Sequence, residues 1–576
     1  MAEGLLTPED GERMEDVGKA YLQALISRSF FQPGGTSIWG PVMVMHDLVH
    51  DLAMFIAGEF FFSCGDSNDL SNLGTKSFHL SYRKGSDLMK LGAVSQSREK
   101  KLMSLRTLLA LPLEYVSVYD KPVLELHEVF LKAGGCLRVL SLSQSSITEL
   151  LDSIGNMKYL RYLDLSETSI KELPDSICTF YSLQTLLLSD CKQLTQLPTR
   201  LAALVNLRHL NIRRTSLKEM PPHMCKMKSL QTLSDFVLGE NHGWRIKELG
   251  EFPLLEGSLR ISGLEYIADV KDVLEANLKD KKFLRELILE WDKDFNITSS
   301  QQEREVLEAL QPHTNLKQLR IDGYRGTIFP DWLSIYGCEK LIVGLPNCHL
   351  PSLKSIEIKY CNEMEGVFVC QSRQEMDTNA FPSLQSISIK NCKKLIVGLP
   401  NCRLPSLKSI HIWDCDEMEG VFVRQSRQEM DTNAFPSLQS ISIWSCKKLW
   451  KNRMNWGLER LPSLMRLSLY LFQIEEEVDS FPEEGLLPTT LADLCIQGQF
   501  CKKLKGLNGR GFQHLTSLQY LKIQGCEQLE YLPQEGLPRS LSRLEIYDCP
   551  VLKPRCQRGT GEDWPKIQHI PKIDIR

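Results

Sequence analysis

The chain has 576 residues, 42% of them apolar and 24% charged, with a net charge of −4. That length exceeds what one hydrophobic core organises, and the composition is that of ordinary soluble material. Lysines and arginines are spread along the chain, which argues against a nucleic-acid partner, and no run of 18 apolar residues offers a membrane span.

The N-terminus "MAEGLLTPEDGERMED" is acidic and lacks the apolar stretch of a signal peptide. The expectation is a cytoplasmic chain whose 18 cysteines remain thiols, with no C-x-x-C pair to suggest zinc. Within residues 1–65, "MEDVGKAYLQALISRSFFQ" predicts a helix with Val17, Tyr21, Leu25 and Ile26 on one side. Residues 47–57 predict a second helix with Leu48, Leu52, Phe55 and Ile56 as its apolar stripe. His46 and His50 are four apart, but a metal site would need a third ligand. Residues 66–104 read as a connector and a first repeat strand.

From 105 a leucine pattern, L-x-x-L-x-L, takes over. It begins at Leu137, Leu160, Leu183, Leu207 and Leu230, with spacings of 23, 23, 24 and 23. Variants follow at Leu284, Leu316, Leu353, Leu384, Leu407, Leu438, Leu464, Leu491, Leu518 and Leu541. This is the leucine-rich repeat. Residues 105–250 form a regular array and 251–576 an irregular one. The expected fold is an α/β solenoid in which each unit lays one strand on a parallel sheet lining the concave face. The leucines point into a shared core, where each is worth roughly 1.5–3 kcal/mol.

The return limb often reads "IKELPDSIC" or "LTQLPTRLA", where proline stops the strand. Cys191, Cys361, Cys392, Cys415, Cys446, Cys526 and Cys549 sit just after strands, at the Asn/Cys position of the repeat, and read as structural. "GENHGWRIKELGEFPLLEG" breaks the series and suggests a bend between two subarrays. "DVKDVLEANLKDKKFL" and "QQEREVLEALQPH" predict helices on the convex side.

Residues 338–391 and 392–445 are near-copies with nine differences in 54 positions. Five differences lie in or just after the two strands: Glu357 becomes His411, Lys359 becomes Trp413, Tyr360 becomes Asp414, Lys390 becomes Trp444 and Asn391 becomes Ser445. The polar stretch "EMEGVFVRQSRQEMDTNAFPS", read as a protruding loop, is nearly unchanged between the copies. Change concentrated on the concave face points to protein binding there. The residues expected to face a partner are Arg161, Asp164, Arg208, Asn211, Arg320, Glu357, Lys359, Tyr360, His411, Trp413, Asp414 and Trp444.

"MEDVGKAYLQALISRSFFQ" followed by "VMHDLVHDLA" resembles the end of the winged-helix subdomain of plant nucleotide-binding leucine-rich-repeat immune receptors of the coiled-coil class. The resemblance continues through "LRYLDLSETSIKELPDSI" and "LEANLKDKKFLRELILEW" to the closing "WPKIQHIPKIDI". It implies that Met45, His46 and Asp47 match the family's nucleotide-sensor motif, with His46 at the β-phosphate of ADP and Asp47 tying the loop down. The sequence departs from the family in having no G-x-x-x-x-G-K-[ST] loop and starts, on this reading, inside the winged helix. ADP is therefore expected only in a full-length receptor, and this chain is expected to hold no cofactor.

The implied partners are a pathogen effector, a guarded host protein or a receptor's nucleotide-binding domain. A non-functional fragment, or an incomplete gene model of a full ADP/ATP-switched immune receptor, is the alternative. No G-x-S-x-G, H-E-x-x-H or kinase signature supports an enzyme. An extracellular receptor would need a secretory signal, and its one N-x-T sequon, at Asn296, is expected by chance. A ubiquitin-ligase adaptor would need an F-box ahead of the repeats.

Overall fold

The structure is a computed structural model. It describes residues 2–6, 8, 12–37, 40–64, 76–83, 104–240, 245–292, 300–327, 329–330, 332–333, 350–364, 381–395, 397–399, 404–422, 435–470, 478–498 and 504–576, apart from 112–133. The sequon, most of the polar loop in both copies, and much of the 66–104 connector lie outside the described residues. The chain divides into two compact units, residues 1–255 and 256–576.

In the first unit, helices α1 (Met14–Ser27) and α2 (Asp47–Ala57) form where the 3.6-residue spacing of apolar side chains places them. An antiparallel hairpin, Phe31–Ser37 with Gly40–Met45, lies between them in the chain. Eight parallel strands follow in chain order, from Phe61–Cys64 to Thr232–Leu233. The sheet thus begins at Phe61, inside the segment that the sequence sets apart from the repeats. The Phe78 N–H donates to the Phe60 carbonyl at 2.9 Å, and the two rings stack with centroids 5.7 Å apart. These aromatic residues replace the leucine signature, so the pattern search passes over the first rungs.

In the second unit twelve of the described strands, from Gly257–Ser262 to Lys572–Ile575, form one parallel sheet, each paired with the next of the twelve. Helices Val270–Glu275 and Ser300–Ala309 form as predicted, and the Asp269 side chain caps the first by accepting from Lys271 N–H. The fold is the α/β leucine-rich-repeat solenoid. Every motif-opening leucine from Leu137 to Leu541 is at most 3% exposed. Within a strand, burial alternates with the two-residue period: in Ser409–Trp413, Ile410 and Ile412 are buried while Ser409, His411 and Trp413 face outward, half-buried.

After each strand the chain turns sharply. Asp190, Tyr360, Asn391, Asp414, Ser445 and Asp548 all have φ between 47° and 59°, the left-handed region. A cysteine follows each of them. Cys361, Cys392, Cys415 and Cys446 are at most 1% exposed, and their thiols donate to the carbonyls of Lys359, Lys390, Trp413 and Trp444 at 3.1–3.4 Å. A small, weak donor satisfies a buried backbone oxygen there without filling the core. Hydrogen bonds between neighbouring thiols, together with burial, hold Cys392, Cys415 and Cys446 well above the usual thiol range, so they stay protonated and inert.

Two outcomes follow. Alkylation of the folded chain, read by mass spectrometry, labels the exposed Cys136 and leaves Cys361, Cys392, Cys415 and Cys446 unmodified until denaturant is added. In chemical denaturation, Ile410→Ala lowers stability by about 2–5 kcal/mol, whereas Ser409→Ala, which loses one part-buried hydrogen bond to Ser386, costs about 0.5–1.5 kcal/mol.

Candidate protein-interaction face

His46 occupies the N-cap of α2. Its Nδ1 lies 3.3 Å from the Leu48 N–H and 2.6 Å from Asp47 Oδ1. The side chains of His46 and Asp47 are 45% and 82% exposed. The apolar stripe of α2 is bare: Leu48, Leu52, Phe55 and Ile56 are 55–84% exposed, and the helix buries no residue at all. Of the side predicted for α1, Val17 is buried while Tyr21 and Leu25 face solvent.

In the first unit, two arginines expected to face a partner are already engaged. Arg208 pairs with Glu15 at 3.1 Å, and the His209 ring nitrogen Nε2 lies 3.4 Å from the same carboxylate. Arg161 donates to the Ala2 carbonyl at 3.4 Å. Glu3 accepts from the Thr107 hydroxyl and lies 3.6 Å from Arg138, and Arg13 donates to Gln231 at 2.8 Å. The N-terminal segment therefore lies on the open face of the first sheet. Burial works to raise the Glu15 pKa, but hydrogen bonds and the charges of Arg208 and His209 hold it below the usual carboxylate range. Asp164 accepts from the Ser166 N–H and Asn211 from the Arg213 N–H, so each ties its own turn.

The second unit presents a different face. Strict register aligns Lys359, Lys390, Trp413, Trp444 and Tyr470 in one row across five neighbouring strands. Trp413 and Trp444 stack with centroids 4.6 Å apart, and Trp444 and Tyr470 at 3.7 Å. The Lys390 ammonium caps the outer face of Trp413 at 4.3 Å. Because the rings spend their faces on one another, the ridge shows edges rather than open faces.

The next row inward holds Ser388, Ser442 and Ser468, short side chains that form a floor beside the ridge, with the larger His411 among them. At the ridge's basic end, Glu357 gathers Arg320 at 2.9 Å, Lys390 at 2.9 Å and Lys359 at 3.2 Å. Burial opposes its ionisation, yet these three cations keep its pKa lowered. Burial, with the charge of Lys390, lowers the His411 pKa, so the imidazole is neutral at pH 7. Tyr360 and Asp414 stand in the left-handed turns beyond the strands, and their N–H groups donate to Lys390 and Trp444 of the next strands at 2.9 Å.

Comparison with known proteins accords with this architecture. Residues 1–53 match the disease resistance protein winged helix domain, and residues 246–367 match the R13L1/DRL21 leucine-rich repeats. The chain thus carries a winged helix of disease resistance type and R13L1/DRL21-type leucine-rich repeats, and its homologues are plant disease resistance proteins.

Among its relatives, disease resistance protein RGA2 of Solanum bulbocastanum is 32% identical across all of this chain and 56% of its own length. The putative disease resistance RPP13-like protein 1 of Arabidopsis thaliana is 33% identical over 96% of this chain and 53% of its own. This resistance-type chain spans about half the length of those relatives. Among solved structures, a leucine-rich-repeat protein of Leptospira interrogans matches over 84% of this chain and 92% of its own at 18% identity, with a TM-score of 0.37.

One member of this face was missed in the sequence. Tyr470 stands six residues after its motif leucine, Leu464, as Trp413 and Trp444 stand six after Leu407 and Leu438. Extending the comparison beyond the duplicated copies would have found it. The contacts of Glu3 and Glu15 had no signal, because they join residues about a hundred or more positions apart.

Arg208→Glu releases the N-terminal segment from the resistance-type chain's first sheet, seen as faster hydrogen exchange at residues 13–17. The folded pKa of Glu15 is depressed, so its contribution is present above the ordinary glutamate value of about 4.3 and fades as pH falls through the lowered value. Protection of the same amides in the unaltered chain therefore declines below about pH 4.

Proposed function

We propose that this chain is a recognition module of plant defence that acts in the cytoplasm. It binds a protein partner on the open sheet face of its second unit, the surface that solenoids of this kind use. The partner is a pathogen effector, a guarded host protein or the nucleotide-binding domain of a receptor. The observation that carries this reading is the ridge of Trp413, Trp444 and Tyr470, standing beside a floor of serines and ending in the cluster of Arg320, Lys359 and Lys390. Large aromatic side chains and arginine dominate protein-binding energetics, and buried sheet residues hold these at fixed spacing. The role is recognition rather than catalysis, in keeping with a repeat architecture and with relatives named for disease resistance.

A second reading rests on α2. Its bare stripe of Leu48, Leu52, Phe55 and Ile56 suits an apolar surface on a nucleotide-binding half, which would make this chain the C-terminal part of a switched receptor. ADP does not fit the residues present. His46 turns its Nδ1 back to the α2 N-terminus and Asp47, and the sequence has no loop of backbone N–H groups to cradle phosphates.

Two measurements test these statements. In a pull-down or titration with an identified partner, Trp413→Lys combined with Trp444→Lys weakens binding by about tenfold or more while the fold, read by circular dichroism, is kept. Unchanged affinity removes the ridge from the account. Calorimetric titration with ADP gives no heat of binding at micromolar concentration, and clear binding there would reverse the exclusion of the nucleotide.

A further inference from the structure

The open sheet face of the second unit is not uniform in charge. Four neighbouring strands, Gln318–Asp322, Ser355–Lys359, Ser386–Lys390 and Ser409–Trp413, are each entered by the residue just after the motif leucine. Their outward and entry positions hold six cations: Lys317, Arg320, Lys354, Lys359, Lys390 and Lys408. Only two carboxylates, Asp322 and Glu357, stand among them. Six against two leaves four positive charges on these rungs, in a chain whose net charge is −4. The next two strands, Ser440–Trp444 and Arg466–Tyr470, add Arg466 alone. The face is therefore basic on one side and aromatic on the other.

The cations fall into two groups. Arg320, Lys359 and Lys390 share Glu357, as described above. Lys317, Lys354 and Lys408 stand in one row at strand entry. The Lys354 N–H donates to the Lys317 carbonyl at 2.7 Å, the Gln385 N–H to the Lys354 carbonyl at 2.8 Å and the Lys408 N–H to the Gln385 carbonyl at 2.8 Å. All three lysines are exposed, and among the described residues none of their ammonium groups has a carboxylate partner. Like charges on neighbouring strands repel, and an anionic partner relieves that repulsion. The ridge favours the same ligand chemistry. Its ring faces are closed by stacking and by Lys390, so it offers ring edges, which carry the positive end of the aromatic quadrupole. Closed faces refuse the stacking of a nucleobase, and Asp322 and Glu357 within the patch repel a phosphate backbone.

We infer that the partner of this face is a protein that presents an acidic segment, with carboxylates over the row of Lys317, Lys354 and Lys408 and along the ring edges of the ridge. The inference rests on the recognition reading above and narrows it to acidic protein surfaces. From Lys408 to Trp413 is five residues, about 16 Å along the strand, which a twelve-residue segment spans. Opposite charge steers the encounter, so added salt slows association, while contact with the ridge governs dissociation.

The test uses the full 576-residue chain and a phage-displayed library of random dodecapeptides as the probe. Selected peptides should carry at least about twice the aspartate and glutamate of the starting library. Made with a fluorescein label and read by anisotropy, they should bind Lys354→Glu with Lys408→Glu at least about tenfold more weakly, and Trp413→Ala with Trp444→Ala likewise. Circular dichroism checks that both double variants keep the fold. Peptides that need the tryptophans but show no acidic excess would overturn this inference and leave the ridge as a binding surface. Acidic peptides weakened by the lysine change alone would uphold the acidic site and fail the ridge. Peptides indifferent to both changes, or no selected peptides at all, would overturn both. Tighter binding of a labelled oligothymidine of about 20 nucleotides than of any selected peptide would give the patch to nucleic acid and refute the protein partner.

Discussion

The structure depends on burial of one leucine at the opening of each repeat from Leu137 to Leu541, locked into the row of equivalent leucines along the neighbouring rungs. Each residue contributes only a few kcal/mol, so no rung holds alone, but the packing fixes the register of every strand against the next. Once register is fixed, the outward residues have no freedom of placement. A residue six positions after its motif leucine must stand beside its counterpart one rung along, about 4.8 Å away. The stack of Trp413, Trp444 and Tyr470 needs no attraction among the rings to explain their alignment, because the buried rows beneath impose it.

The same constraint explains what could be read without coordinates. Leucine spacing, the two-residue alternation and the cysteine after the strand are local signals repeated many times. They placed the sheet, its core, the helices at Val270–Glu275 and Ser300–Ala309 and the rows around Trp413. The first rungs escaped because phenylalanine and histidine stand where leucine is expected, as in Phe61–Cys64 and His79–Arg83. The contacts of Glu3 and Glu15 escaped because chain-distant ion pairs leave no period. The stripe of α2 was legible as apolar, but a sequence pattern does not say whether anything covers it. The cap behaved similarly: "WPKIQHIPKIDI" marked the end of an array, while the ion pairs of Asp563 with Arg555 and Lys566 appear only in three dimensions.

The divergence between the two copies resolves into two kinds of position. Glu357/His411, Lys359/Trp413 and Lys390/Trp444 lie in strands and change what the face displays. Tyr360/Asp414 and Asn391/Ser445 lie in left-handed turns, where the backbone N–H is committed to the next strand. Asparagine and aspartate tolerate that conformation well, so substitution there is governed by the turn as much as by any ligand. Three of the five changes therefore carry the recognition argument. They convert a basic segment, neutralised in part by Glu357, into an aromatic one.

Because residues 338–391 and 392–445 each supply two consecutive strands with identical inward residues, either block can be followed by another of its kind without disturbing the rows behind it. Unequal recombination between the two blocks would lengthen or shorten the molecule by whole pairs of rungs, about 10 Å at a step. A lineage carrying such tandem blocks can change the reach of its contact surface in a single genetic event and then tailor the new segment one outward residue at a time.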